Sequence, residues 1–212
     1  MKDIPVFATE YGAASLVLRE IPYRQVAYIR IQDSLDPGLL LEECVGFCRA
    51  VGAEQIYASG HEALEGYPFH TAIWQMRGDK SVLSDTDAAL WPVQENTLDQ
   101  WLAIYNRKAV NIPNAAWMSH ADGREMLRLG DGYFVHRGDT LLGIGRASGG
   151  TMRWVASCYP KAGVDVVRAL AHAISEDTVY LEVASENRKA IEFYKALGFV
   201  ICGELSRWYK IL

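Results

Sequence analysis

The chain lacks any uninterrupted apolar run long enough to span a membrane, although half of its 212 residues are hydrophobic. A transmembrane helix needs about 20 such residues, so none is expected, and the composition suits a buried core instead. Residues 1–12 also lack the apolar stretch and cleavage-like site of a secretory signal. We therefore expect a cytoplasmic protein that makes no use of a membrane.

Cysteines are few, and the four in the chain are too scattered for a disulfide framework. Cys44 and Cys48 lie one helical turn apart, which favours small buried thiols over metal ligands. His61, Glu62 and His70 are the other candidate ligands, but no second histidine stands at the i+4 position of a zinc-binding helix. We therefore expect no metal site.

Basic clusters are also missing, and the net charge of the chain is −5. Proteins that bind nucleic acids neutralise backbone phosphates with grouped lysine and arginine side chains. The sequence therefore argues against a nucleic-acid partner.

The most informative stretch that is present covers residues 181–199, LEVASENRKAIEFYKALGF. Leu181 and Val183 alternate with Glu182, as in a half-buried strand. Either Ser185 or Asn187 can cap a helix that follows. One face of that helix carries apolar residues at helical spacing, namely Ala190, Phe193, Tyr194 and Leu197. Gly198 supplies a residue suited to the left-handed conformation that ends helices.

The elements predicted around this stretch define a mixed α+β fold. Residues 87–212 read as a strand, two helices, three antiparallel strands, a helix, a strand, a helix and a strand. Residues 1–86 read as a hairpin, a helix, a strand, a short helix and a strand. We therefore divide the chain into two domains, 1–86 and 87–212.

The stretch 181–199 resembles the cofactor-binding unit of the GNAT N-acetyltransferase superfamily. Its family pattern, L-x-V-x-x-x-N-x-x-A-x-x-x-Y-x-x-x-G-F, has every specified position filled here. The element order of 87–212 is also that of the family. The resemblance implies a GNAT-like mixed sheet, complete in 87–212 and truncated in 1–86, where an unrelated α+β domain is the alternative.

The resemblance further implies acetyl-CoA as acyl donor. The family holds the cofactor's diphosphate at a helix N-terminus, which corresponds here to Lys161, Ala162, Gly163, Val164, Asp165 and Val166. The family's leading Arg or Gln is missing, and Lys161 is the candidate replacement. Asp165 stands where the family has a small residue, so it either belongs to an ordinary helix first turn or repels the diphosphate. The pantetheine arm is assigned to the backbone of Trp154, Val155 and Ala156, with Asn187 and Ala190 beside it.

For catalysis, the resemblance assigns Tyr194 as the acid that protonates the leaving thiolate. The base is not identified, because the strand at 151–157 has no carboxylate; His120, Glu125, His136 and Glu182 are the alternatives. We expect direct transfer, in a ternary complex, to a primary amine of a small molecule, amino acid or peptide. A catalytically silent module that binds CoA or a small ligand is the alternative function, and a homodimer is left open.

Overall fold

The computed structural model describes residues 5–83 and 85–212. Its strands are β1 (Val6–Thr9), β2 (Gly12–Val17), β3 (Val26–Ser34), β4 (Gln55–Ser59), β5 (Phe69–Asp79), β6 (Ala89–Pro92), β7 (Gly132–Arg137), β8 (Thr140–Ser148), β9 (Thr151–Ser157), β10 (Thr178–Ala184) and β11 (Val200–Lys210). Its α-helices are α1 (Ile21–Arg24), α2 (Pro37–Ala50), α3 (Leu98–Ala109), α4 (His120–Leu129), α5 (Gly163–His172) and α6 (Arg188–Ala196). None of the helices in the described ranges is both long and apolar enough to cross a membrane.

The chain forms two compact units. One is Met1–Ile73 together with Glu204–Leu212, and the other is Trp74–Gly203. Strands β5 and β11 each contribute residues to both. The sequence-based division into 1–86 and 87–212 stays a prediction.

The first unit is a sheet with the strand order β1-β2-β3-β4, to which the end of β11 is added. The predicted hairpin is confirmed, since β2 and β3 pair in antiparallel fashion with α1 between them. Strands β3 and β4 are parallel and are joined by α2. A short 3₁₀ helix, Glu62–Gly66, follows β4 as predicted.

Helix α2 shows how local sequence sets an element of this unit. Asp36 caps it, because one carboxylate oxygen accepts from the backbone N–H groups of Gly38 and Leu39. Cys44 and Cys48 are fully buried, as predicted, and burial raises the pKa of their thiols to about 12 and about 11. Phe47 and Val51 recur with Cys44 and Cys48 at the spacing of one helix face, but both are exposed.

The second unit is a sheet with the strand order β5-β10-β9-β8-β7-β6, bordered beyond β5 by the start of β11. Helix α5 packs with Val155 of β9, whereas α3 and α4 pack with its neighbours Trp154 and Ala156. Successive residues of a strand point to opposite faces. The helices therefore cover opposite faces of β9.

Two glycines of β8 let α5 lie close against the sheet. A Cβ atom at Gly143 would come within 2.7 Å of the Val166 side chain, and one at Gly145 within 2.2 Å of Leu170. Both distances are far below normal contact. The small residues on β8 thus fix the position of α5 and of the loop that precedes it.

Large aromatic side chains bury much apolar surface, so the tryptophans of this unit are expected in the core. Trp101 is fully buried and its indole N–H donates to the carbonyl of Tyr133. Trp91 does not follow the expectation: it is 55% exposed and stacks on His136. It lies on the short edge strand β6, which is paired with β7 alone among the described strands.

Candidate functional site

An opening between β9 and β10 is the main feature of the second unit. The two parallel strands pair at Thr151–Tyr180 and Met152–Leu181, and at no later position in the described residues. On its other edge, β9 stays paired with β8 as far as Ser157. One backbone edge of β9 beyond Met152 is therefore available to a ligand that pairs like an added strand.

A β-bulge accounts for this opening. Arg146 of β8 faces Trp154, and the next residue of β8, Ala147, faces Met152, so Arg153 is an extra residue in β9. A bulge bends its strand and increases the local twist. The bulge falls directly after the last pair with β10, at the point where the pairing of the two strands ends.

A buried ion pair anchors the bulged region. Asp131 is 1% exposed, and both of its carboxylate oxygens accept from the guanidinium of Arg146, at 3.0 and 2.8 Å. Bidentate pairs of this kind fix geometry as well as charge. The position of β8 opposite the bulge is thereby held.

The three β9 residues predicted to line the pantetheine arm are all partly buried. The ring of Trp154 lies 4.5 Å from that of Tyr105 on α3. Its indole N–H is buried and has no hydrogen-bond partner among the described residues. Tyr105 in turn donates to the carbonyl of Ala116, which ties the loop between α3 and α4 to this face of β9.

The predicted diphosphate loop lies at the start of α5. Lys161 has a positive φ of 64°, Ala162 is the N-cap, and α5 begins at Gly163. A Cβ atom at Gly163 would lie 3.1 Å from the ring of Phe193, so a larger residue would crowd α6. Val164 and Asp165 are partly exposed at this end of the helix, whereas Val166 is buried against β8.

A cleft of about 360 Å³ adjoins this loop. It is lined by Arg137, Thr140, Leu142, Tyr159, Pro160, Lys161, Ala162 and Asp165. The lining joins the β7–β8 hairpin to the loop before α5. Pockets that hold a whole drug-sized ligand measure about 300–1,000 Å³. The cleft is at the small end of that range, so it suits one part of a larger molecule.

Asp165 carries the charge that the sequence marked as a difficulty. It lies in the first turn of α5, where a carboxylate is favourable. Its Oδ1 is 3.0 Å from Nη2 of Arg137 and accepts a hydrogen bond from Thr86 Oγ1 at 3.1 Å. The carboxylate is therefore compensated by a cation and does not face the cleft as an isolated charge.

Helix α6 holds the other predicted site residues. Asn187 is its N-cap, with Oδ1 accepting from the N–H of Ala190 at 3.3 Å, which decides between the two caps left open. Tyr194 is 9% exposed and its ring contacts Phe193 and Phe199. Burial raises the pKa of Tyr194 to about 12, so the hydroxyl stays protonated at neutral pH. Gly198 ends the turn with φ of 90°, as predicted.

These contacts link some predicted residues and not others. Phe193 touches Gly163 and its ring lies 5.3 Å from that of Tyr194, so α6 and the start of α5 are neighbours. Hydrogen bonds and ring contacts within the described residues do not connect Tyr194 or Asn187 to Trp154. The predicted residues of α6 thus contact the α5 loop through Phe193 and have no such contact with those of β9.

The four candidate bases differ in their exposure and in their contacts. Glu125 forms two hydrogen bonds with Arg128, which lower the pKa of the carboxyl. His120 lies 3.5 Å from Asp99 at the exposed start of α4. Nδ1 of His136 is buried without a hydrogen-bond partner among the described residues, and Glu182 is exposed.

The residues weighed as metal ligands have structural contacts. His61 caps the 3₁₀ helix by accepting from Ala63, and His70 stacks on Tyr57 at 4.0 Å. Within residues 5–83 and 85–212, no group of three or more His, Cys, Asp or Glu side chains is arranged to hold a metal ion.

Sequence reasoning missed Arg137, Thr86 and Asp87. Arg137 ends a strand at a hairpin, and Thr86 and Asp87 lie in a polar stretch before β6, so no motif marks any of the three. The available signal was indirect: Asp165 adds a negative charge at a helix start that is expected to bind phosphate, and such a charge calls for a compensating cation in the fold.

Comparison with known proteins identifies the fold. Neither a protein-family model nor a curated protein matches the sequence. Among solved structures, a conserved protein of unknown function from Staphylococcus epidermidis superposes with a TM-score of 0.63 at 13% identity, over 99% of this chain and 94% of its own. A GCN5-related N-acetyltransferase from Sphaerobacter thermophilus gives 0.55 at 13%, over 93% and 75%. Another from Kribbella flavida gives 0.56 at 11%, over 96% and 58%.

Proposed function

We propose that this chain, which has the GNAT fold in a complete unit and a truncated one, is an acetyl-CoA-dependent N-acyltransferase. The single observation that carries the proposal is the opening between β9 and β10, since it leaves one backbone edge of β9 free beside the loop of α5. An extended pantetheine arm, with its amide groups, suits such an edge. The acceptor is a primary amine of a small molecule, amino acid or peptide.

The residues present fit the cofactor. The edge of Trp154, Val155 and Ala156 would pair with the pantetheine, and the cleft beside Lys161 would take the diphosphate. The ion pair of Asp165 with Arg137 supports this assignment, because it offsets the charge that would repel a phosphate. When bound, the cofactor supplies a reactive thioester.

The reaction follows from the donor and the acceptor. The neutral amine nitrogen forms a bond to the thioester carbonyl carbon, and the carbon–sulfur bond breaks with its electron pair going to sulfur. The nitrogen gives up a proton to solvent, and sulfur takes one, so that an amide and a free thiol result. Backbone N–H groups of β9 polarise the carbonyl.

Tyr194 is the proposed donor to the leaving sulfur. Its raised pKa of about 12 keeps the proton on the hydroxyl. A thiol titrates near 8.5, so complete transfer from Tyr194 is uphill and its main contribution is a hydrogen bond to the sulfur as charge develops. Asn187 and Ala190 are proposed beside the pantetheine. The side-chain oxygen of Asn187 already caps α6, so its N–H₂ group is the part proposed to donate to the ligand.

A silent CoA-binding module is the second candidate. It is favoured by the state of Glu125, whose paired carboxylate is a poor base, and by the absence of a carboxylate from β9.

Acyl transfer to a panel of primary amines separates the two. The wild-type protein is mixed with acetyl-CoA and each amine in turn, and the reaction is followed by the release of free thiol. If the protein is an acyltransferase, thiol release with at least one class of amine is faster than thiol release by hydrolysis of acetyl-CoA alone. Calorimetric binding of CoA without transfer to any amine would instead establish the module, and no binding of CoA would exclude both.

A further inference from the structure

Arg137 ends β7 and lies on the wall of the cleft opposite the α5 loop. Its Nε donates to Asp87 Oδ1 at 2.7 Å, and its Nη2 is 3.0 Å from Asp165 Oδ1. A guanidinium has five N–H donors in a fixed plane. Two contacts leave other donors of Arg137 for a further acceptor in the cleft.

The two carboxylates set the orientation of this side chain. Asp165 is 23% exposed and is itself held by Thr86, whereas Asp87 is 72% exposed. A partly buried, hydrogen-bonded carboxylate restricts the guanidinium more than an exposed one does. Arg137 is thus positioned in advance, although its own side chain is 45% exposed and accessible.

The formal charges of the cleft lining and of Asp87 beside it sum to zero. The carboxylates of Asp87 and Asp165 are matched by the cations of Arg137 and Lys161. Arginine binds phosphate oxygens with a planar fork, whereas lysine acts as a point charge. Of the two cations, Arg137 is therefore the one able to recognise a diphosphate through paired hydrogen bonds.

We propose that Arg137, carried by β7 and not by the α5 loop, binds the diphosphate of CoA directly. This inference rests on the proposed function and adds a specificity residue to it. Arg137 supplies the planar fork of donors that the loop's own cation, Lys161, does not have, and it distinguishes acyl carriers that contain a diphosphate from those that end at pantetheine. Asp165 and Asp87 are positioning residues that act through Arg137.

The test compares three ligands, first on three proteins and then on two further variants of Arg137. CoA and 3′-dephospho-CoA are titrated by calorimetry, and pantetheine, a weak ligand, by NMR shift titration. The proteins are wild type, Arg137→Gln and the control Arg128→Gln. Arg128 is also an exposed arginine paired with a carboxylate, but it lies on α4 and does not line the cleft.

Arg137→Gln is expected to weaken CoA and 3′-dephospho-CoA alike, by about 10- to 100-fold, since a hydrogen bond to a charged group is lost. Pantetheine binding should stay within about twofold of wild type, because that ligand has no diphosphate. Arg137→Lys should recover part of the affinity for CoA, and Arg128→Gln should change nothing.

Several results would overturn the proposal. CoA affinity within twofold of wild type in Arg137→Gln would show that Arg137 does not bind the ligand. Equal losses for all three ligands would indicate a structural role, and a loss confined to CoA would place Arg137 at the 3′-phosphate. Recovery of CoA affinity in the double variant Arg137→Gln, Asp165→Asn would mean that Arg137 only masks Asp165. Failure of the wild type to bind CoA is a separate result, which removes the proposed function itself.

Discussion

Asp165 and Tyr194 show how the surroundings of single residues change the meaning of the sequence. A carboxylate in a phosphate-binding loop is unfavourable in isolation, but here it is paired with Arg137 and Thr86. A tyrosine on an apolar helix face is an ordinary core residue, and Tyr194 is indeed packed against Phe199. Its buried hydroxyl nevertheless keeps a proton that it can donate.

Tyr194→Phe tests this hydroxyl, since the change keeps the ring contacts. We expect kcat to fall by about 10- to 100-fold, which is at or below the low end of the rate effects typical of acid–base groups. The Kd for CoA should stay within twofold. Because the pKa of Tyr194 is raised to about 12, the hydroxyl remains a donor below that value and is lost only above it. The wild-type rate should therefore show no alkaline decline from this group up to about pH 10.

The matched control is Tyr133→Phe, which removes a hydroxyl that donates to the carbonyl of Gly130. It should leave kcat unchanged. An unchanged kcat in Tyr194→Phe would contradict the proposed role, as would a wild-type alkaline limb near pH 8 that disappears in that variant.

Strands β8 and β9 determine the site at the level of elements. The bulge at Arg153 ends the pairing of β9 with β10, and the glycines of β8 bring α5 close to the same strands. The edge and the loop that would hold opposite ends of a cofactor are therefore positioned by neighbouring segments of one hairpin.

Gly145→Ala tests the close packing of α5. The new Cβ would lie 2.2 Å from Leu170 Cδ1 and 2.9 Å from the carbonyl oxygen of Trp154. Overpacking of this kind typically lowers the free energy of unfolding by about 1–3 kcal/mol, measurable by urea denaturation. Gly46→Ala is the control: Gly46 lies within α2 with nothing in contact distance, and the change should be neutral or stabilising. Equal stability of Gly145→Ala and wild type would refute the packing account.

At the scale of the whole molecule, the two units differ in the feature that would admit a cofactor. In the first unit the parallel strands β3 and β4 pair at five successive positions, from Val26–Gln55 to Arg30–Ser59, so no edge opens between them. The first free amides of α2 are occupied by the carboxylate of Asp36. Among the described residues, only the second unit has parallel neighbouring strands that part beside an accessible helix start.

Local patterns predicted most elements of both units. The apolar face of α6, Gly198 and the two candidate caps, Ser185 and Asn187, were predictable because they depend on residues close in sequence. The opening beside β9 was not, since it depends on the register of two strands and on one extra residue at Arg153. The pairing of Arg137 with Asp165 was not either, because it joins side chains from distant segments that only the folded sheet brings together.

The central claim is that the chain holds one CoA, in the second unit. Isothermal titration of the wild-type protein with CoA tests it most directly, because the heat per injection gives the stoichiometry as well as the affinity. One CoA is expected to bind per chain. Binding of two per chain, or of none, would contradict it.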